Sequence, residues 1–212
     1  MRARAMLRTP GGVIVALWVK VCGLTTPDAV AAAVDAGADA VGFVFAESKR
    51  RVTPQRAAEL ARDVPKQIAR VAVMLHPSQQ DLDAVWSEFR PDVLQTDIED
   101  LYSLRIPNGL TVVPVVRAGR ELPRELPART LFEGPVSGTG TTTDWSAAAQ
   151  LTSRTQLILA GGLKPSNVAA AIAAARPFGV DVSSGVEAAP GLKDPAKIYE
   201  FVRNARGADN GA

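Results

Sequence analysis

Short apolar runs alternate along the chain with Ala-rich stretches whose apolar positions recur at helical spacing. That alternation is what parallel strands crossed by helices require. Eight runs predict strands at 16–21, 40–45, 69–75, 93–95, 111–116, 130–133, 156–159 and 179–182. The intervening pattern predicts helices at 27–36, 54–63, 79–89, 146–152, 165–175 and 195–205, with a short turn near 98–104. The fifth connection, around 121–127, carries Pro123 and Pro127 and is too proline-rich for a helix.

Several helix starts are written into the sequence. Thr26-Pro27, Thr53-Pro54 and Asp194-Pro195 each place a capping side chain before a proline whose missing N–H costs nothing in the first turn. Asp144 is placed to cap the helix that follows it, and Gly37 and Gly179 stand where helices end and strands begin. No linker or low-complexity segment divides the chain. Eight βα units in 212 residues average about 26 residues each, short for a barrel but within its usual lower range. An open doubly wound sheet more often carries a G-x-G-x-x-G turn after its first strand, where this chain reads Val21-Cys22-Gly23-Leu24-Thr25. The expected fold is therefore α/β, a short single-domain (β/α)8 TIM barrel over 16–206, with a basic extension at 1–15 and a tail at 207–212. Its chemistry should gather at the C-terminal ends of the strands.

Composition agrees: 47% hydrophobic and 22% charged residues suit one well-cored soluble domain. The formal charge of +2 is misleading, because Arg2, Arg4 and Arg8 supply three of the 24 basic side chains and without them the balance is −1. Near-neutrality argues against a nucleic-acid or anionic-membrane surface. The apolar run at 13–21 is broken by Lys20, too short for a membrane span. Three arginines before it imitate a secretory signal, but no A-x-A-like cleavage site follows before Cys22. One Cys and one His exclude an internal disulfide framework and a thiolate-rich zinc site, and the chain suits a reducing cytoplasm.

Candidate chemistry clusters where the barrel predicts it. Cys22, at the end of the first strand, is either a small buried apolar residue or a thiol whose pKa local charge brings toward neutrality for use as base or nucleophile. Arg50, in Lys49-Arg50-Arg51 after the second strand, is either a solvated loop residue or a two-pronged carboxylate holder. Glu133 ends the sixth strand before a loop containing Gly134, Gly138 and Gly140, as a general acid or a surface carboxylate. Adjacent Gly161 and Gly162 after strand seven, with Ser184 and Gly185 after strand eight, either serve close packing and tight turns or form the paired loops that bind phosphate in many barrels, and two successive loops favour phosphate. His76, before Pro77-Ser78, has no partner in the sequence and is assigned no role; Trp18, Trp86 and Trp145 are too scattered for a stacking platform.

Taken together, Lys20-Val21-Cys22-Gly23-Leu24-Thr25, Gly42-Phe43-Val44-Phe45 with Ser48-Lys49-Arg50, Ala160-Gly161-Gly162-Leu163 with Pro165 and Asn167-Val168, and Asp181-Val182-Ser183-Ser184-Gly185-Val186-Glu187 resemble the phosphoribosylanthranilate isomerase family. The order and spacing match across 16–202. The resemblance implies a cofactor-free and metal-free (β/α)8 barrel of tryptophan biosynthesis, acting on a small phosphorylated substrate as a monomer or homodimer. It implies Cys22 as general base and Arg50 as the binder of the anthranilate carboxylate. Glu133 falls where the family has its general-acid aspartate, one C–C bond longer, about 1.5 Å. Where the family has Gln-Leu-His-Gly this chain reads Leu94-Gln95-Thr96-Asp97, sharing Gln95 as a substrate contact. Phosphate would sit at Gly161, Gly162, Ser184 and Gly185, with Asp181 as a polar orienter. The resemblance implies an Amadori rearrangement of N-(5-phosphoribosyl)anthranilate; a related isomerase of histidine biosynthesis performs that rearrangement on a bis-phosphate, and some barrels accept both, but that relative resembles itself across its two halves and has aspartate at the place of Cys22. A barrel that binds a phosphorylated ligand without turnover is the remaining alternative, supported by Glu133 and Thr96-Asp97.

Overall fold

The computed structural model describes residues 7–8, 14–135 and 143–209. Eight parallel strands, β1 (Trp18–Cys22), β2 (Ala40–Val44), β3 (Ala69–Val73), β4 (Val93–Asp97), β5 (Thr111–Arg117), β6 (Arg129–Glu133), β7 (Gln156–Leu159) and β8 (Gly179–Val182), close in sequence order into a barrel, β8 pairing with both β7 and β1. The helices are α1 (Pro27–Ala36), α2 (Pro54–Leu60), α3 (Gln79–Glu88), α4 (Trp145–Leu151), α5 (Val168–Ala175) and α6 (Pro195–Asp209). A 3-10 turn, Ile98–Tyr102, stands between β4 and β5, and no helix lies between β5 and β6. Among the described residues, no helix is long and apolar enough to cross a membrane.

The expected caps hold the helices in place. The side chains of Thr26, Thr53 and Asp144 accept backbone N–H groups of the first turns of α1, α2 and α4, and Asp194 accepts Ala196 N at 2.9 Å at the start of α6. Gly37 ends α1 in the left-handed region at φ 84°, where its N–H reaches the carbonyls of Ala33 and Val34. Outward residues of the strands, such as Val19, Val21, Val41, Phe43, Leu157 and Leu159, pack under the helices. Inside the ring a smaller cluster of Ala40, Val71, Val93, Val113, Val115, Leu131, Ile158 and Ala160 fills the barrel floor.

Several boundaries differ from the expected ones, for physical reasons. β4 runs to Asp97 and β5 to Arg117, past the expected ends, because the parallel register continues through Asp97↔Val115 and Arg117↔Glu133 and the charges bury against one another. α5 begins at Val168, not 165: the Asn167 side chain bonds Lys164 N at 2.8 Å and the Gly162 carbonyl at 3.0 Å, holding a turn where helix was expected. α2 stops at Leu60, and α6 continues to Asp209, three residues past the expected end of the barrel. Within the expected basic extension, Leu7–Arg8 pairs antiparallel with Ile14–Val15.

Candidate active site at the C-terminal mouth of the barrel

Cys22 is the last residue of β1 and is 6% exposed. Strand alternation puts Lys20 on the same inward face, where its Nζ donates to Asp181 Oδ1 of β8 at 3.0 Å; both are buried, at 1% and 8% exposure. Gly42, paired with Cys22 on β2, makes room for both side chains: a Cβ there would stand 3.0 Å from Lys20 Cε and 3.1 Å from Cys22 Sγ. Burial is the largest influence on the thiol and pushes its pKa above the ordinary value; Lys20 and Lys193 pull it down, while Asp181 pushes it further up. Burial also works against the Lys20 ammonium, yet Asp181 and the neighbouring thiol carry its pKa above that of a free lysine.

Arg50 reaches this thiol from the loop after β2. Gly23, at φ 74°, lies under it: a Cβ at that position would come within 2.6 Å of Arg50 Cδ and 3.1 Å of Ser183 Oγ, so the guanidinium stem and the β8 loop both press on the residue after Cys22. Arg50 is held by Glu187, with Nε donating to Oε1 at 2.6 Å and Nη2 to Oε2 at 3.1 Å. Lys193 Nζ donates to the same Oε1 at 2.8 Å. Burial alone would raise the Glu187 carboxyl, but the hydrogen bonds from Arg50 and Lys193 outweigh it and hold its pKa at about 2. One edge of the guanidinium, Nε with Nη2, is thus committed to Glu187, and Nη1 takes no part in that contact.

Glu133 ends β6 with its side chain 13% exposed. Its Oε1 accepts from Arg117 Nη1 at 2.7 Å, and the same guanidinium grips Asp97 through Nε at 3.0 Å and Nη2 at 2.5 Å. The ends of β4, β5 and β6 therefore carry a carboxylate–guanidinium–carboxylate chain. Gln95, 7% exposed, stands two residues before Asp97 and so on the same face of β4. Of the glycine-bearing loop expected to close over a substrate, Gly138 and Gly140 lie outside the described residues.

The two phosphate-loop candidates meet one another. Gly161 and Gly162 are both left-handed, at φ 89° and 66°, which turns the chain sharply after β7. A Cβ at Gly185 would collide with the Leu163 carbonyl, so the β8 loop lies directly on the β7 loop. Ser184 and Gly185 fall in a 3-10 turn, Ser184–Val186. Asp181 sits deeper, as the partner of Lys20.

His76, given no role from the sequence, adopts φ 47° and leans on Asp100, which accepts its backbone N–H at 3.1 Å and lies 2.8 Å from Nδ1. The structure thus gathers Cys22, Arg50, Glu133, Gln95, Asp181 and both glycine loops at one mouth. It adds Lys20, Arg117, Glu187 and Lys193, which sequence reasoning missed. Lys20 was within reach of it, since two residues before Cys22 on a strand means the same face. Arg117 and Lys193 carry no local signal, because their partners lie 16 and 6 residues away on other elements.

The comparisons with known proteins show the family. Residues 19–204 match the family model described as N-(5'-phosphoribosyl)anthranilate isomerase. The N-(5'-phosphoribosyl)anthranilate isomerase of Desulforudis audaxviator is 39% identical over 201 residues, 90% of this chain and 98% of the relative. The solved structure of a phosphoribosylanthranilate isomerase in complex with reduced 1-(o-carboxyphenylamino)-1-deoxyribulose 5-phosphate superposes with a TM-score of 0.76 at 34% identity, covering 90% of this chain and 99% of that one. Monomers of a dimeric phosphoribosylanthranilate isomerase from Thermotoga maritima superpose at 0.73 with 32% identity, over 90% and 99% of the two chains. With the family model spanning the barrel from β1 into α6, the chain belongs to the N-(5'-phosphoribosyl)anthranilate isomerase family.

Proposed function

We propose that Cys22 and Glu133 are the base and acid of the isomerase reaction, the Amadori rearrangement of N-(5-phosphoribosyl)anthranilate to 1-(2-carboxyphenylamino)-1-deoxyribulose 5-phosphate. The observation that supports this reading is the placement of a thiol among ammonium groups on β1 and a carboxyl on β6 at the same barrel mouth, between the Arg50 arm and the glycine loops. The Glu133 carboxyl gives its proton to the ribose ring oxygen as the C1–O bond breaks, and the anthranilate nitrogen supplies the electron pair for the C1=N bond. The Cys22 thiolate then takes the C2 proton; that electron pair forms C1=C2 and returns the C1=N pair to nitrogen, giving an enolamine. Loss of the C2 hydroxyl proton with protonation at C1 yields the aminoketose.

Binding both ends of the substrate fixes C1 and C2 between acid and base. Arg50 Nη1 would take the anthranilate carboxylate. The backbone at Gly161, Gly162, Ser184 and Gly185 would take the phosphate, and Gln95 would line the sugar. Asp181 acts through Lys20, whose ammonium it holds beside the thiol. The reaction belongs to tryptophan biosynthesis, and a reducing compartment such as the cytoplasm keeps the thiol available. A monomer or a homodimer is equally consistent with a site built within one chain. Steady-state assay with this aminoaldose and with the bis-phosphate aminoaldose of histidine biosynthesis tests the reading. Turnover of the anthranilate substrate is expected; turnover of the bis-phosphate alone, or of neither, would overturn it.

A further inference from the structure

Lys193 is a buried cation that the mechanism above does not use. Lys193 lies in the strand Leu192–Lys193, which pairs with Glu187–Ala189 over the β8 loop, and its side chain is fully shielded from solvent. Its Nζ donates to three acceptors: the Ser183 carbonyl at 3.0 Å, Ser183 Oγ at 3.3 Å and Glu187 Oε1 at 2.8 Å. Ser183 directly precedes the proposed phosphate residues Ser184 and Gly185. Glu187 is the carboxylate that grips Arg50. Ser183 Oγ and Arg50 Cδ in turn converge on Gly23, next to the thiol. One ammonium therefore joins the phosphate loop, the carboxylate arm and the end of β1.

Charge balance alone does not call for it. Glu187 is already paired by the two-pronged contact with Arg50, and burying a second cation carries a desolvation cost that an apolar side chain of similar volume avoids. Burial indeed pulls the Lys193 pKa below that of a free lysine, with Glu187 opposing the drop. The groups that face Cys22 are Lys20 from β1, Asp181 from β8, Arg50 from the loop after β2 and Lys193 from the hairpin, three cations against one carboxylate, while β2 itself offers only Gly42.

We propose that Lys193 is a positioning residue of the isomerase site, holding the Ser183 loop and the Glu187–Arg50 arm in place around Cys22 and setting a second buried ammonium within electrostatic reach of that thiol. The inference rests on the reading of Cys22 as base and Arg50 as carboxylate clamp. It assigns the thiolate two supports rather than one: Lys20, fixed by Asp181, and Lys193, fixed by Ser183 and Glu187.

Cys22 is the chain's only cysteine, so alkylation by iodoacetamide reads a single group. The alkylation rate is measured against pH for the parent, Lys193→Met, Lys193→Gln and Lys193→Arg, with thermal melts of each. The midpoint is expected to move upward by at least about half a unit in the Met variant, the direction for loss of a nearby cation, and to stay close to the parent in the Arg variant. The Gln variant, which keeps a donor and loses the charge, should show the same upward move and serves if the Met variant does not fold. The KM for the aminoaldose should rise as kcat falls, because the arm and the loop loosen together. An unmoved midpoint in a folded, neutral variant would overturn the proposal. This readout does not depend on turnover: a shifted midpoint with an active Cys22→Ser enzyme would sink the base assignment, and with it the catalytic meaning of Lys193, while an unmoved midpoint with an inactive Cys22→Ser enzyme would sink the Lys193 inference and leave the base assignment standing.

Discussion

Arg117 donates from Nη1 to Glu133 Oε1 at 2.7 Å across the paired ends of β5 and β6, while its other edge is spent on Asp97. The guanidinium is 6% exposed and Asp97 2%, so this is a desolvated chain of charges rather than a surface pair. Arg117→Met takes from buried Asp97 its near cation, leaving it the longer contacts to Arg120 at 3.9 Å and His76 at 4.0 Å, and removes one hold on Glu133. The expected result is a loss of about 3 kcal/mol in stability, the usual scale for breaking a buried pair, together with a fall in kcat at least tenfold. Arg117→Lys should recover part of the stability and less of the rate, since an ammonium cannot hold both carboxylates with a planar fork. Urea unfolding and steady-state kinetics on the two variants check both.

The same contact frames the acid itself. Shortening Glu133 to Asp withdraws the carboxyl by about 1.5 Å. Glu133→Asp is expected to preserve or raise kcat, because it restores the family's residue. Glu133→Ala should lose at least about 10²-fold, the lower scale for removal of a general acid. An Ala variant that turns over normally would require a different proton donor.

For Cys22, replacement by Ser keeps the volume but leaves a group that does not ionise near neutrality. Cys22→Ser should lower kcat by at least about 10²-fold with little change in KM, since the thiol meets C2 rather than the anchoring ends of the substrate. Turnover near that of the parent would remove Cys22 from the mechanism.

How much of this was readable beforehand depends on the range of the interaction. The barrel followed from local pattern: the Thr26, Thr53, Asp144 and Asp194 caps each act within three residues, and strand apolarity is local too. Cys22, Arg50 and the glycine pair could be picked out because each ends a strand or opens a loop. What stayed hidden was pairing. Asp97 and Arg117 lay beyond the expected strand ends at 95 and 116, and only the β4–β5–β6 register shows that they extend the strands by neutralising one another. Asp181 looked like a ligand contact, but its adjacency to Lys20 depends on β8 closing against β1, a contact across 161 residues. The bond of His76 to Asp100 was hidden too, because that aspartate arrives from the turn after β4.

The Glu187 carboxylate makes the last prediction, on pH. Its side chain is 6% exposed, and Arg50 and Lys193 together hold its pKa at about 2 against an ordinary 4.5. A carboxyl depressed on folding contributes stability that is fully present above its unfolded pKa and is lost as pH falls through the folded one. The window is therefore from about pH 4.5 down to about pH 2. Melting temperatures of the parent and of Glu187→Gln, taken at intervals from pH 7 to pH 2, should differ most at neutral pH and converge across that window, because protonation of Glu187 removes in the parent what the substitution has already removed in the variant. A gap that stays constant to pH 2 would mean that the pair with Arg50 and Lys193 contributes nothing to the native state. Activity should tell the two roles of the arm apart at pH 7: Glu187→Gln is expected to raise KM as Arg50 loses its anchor, with the larger effect there than on kcat.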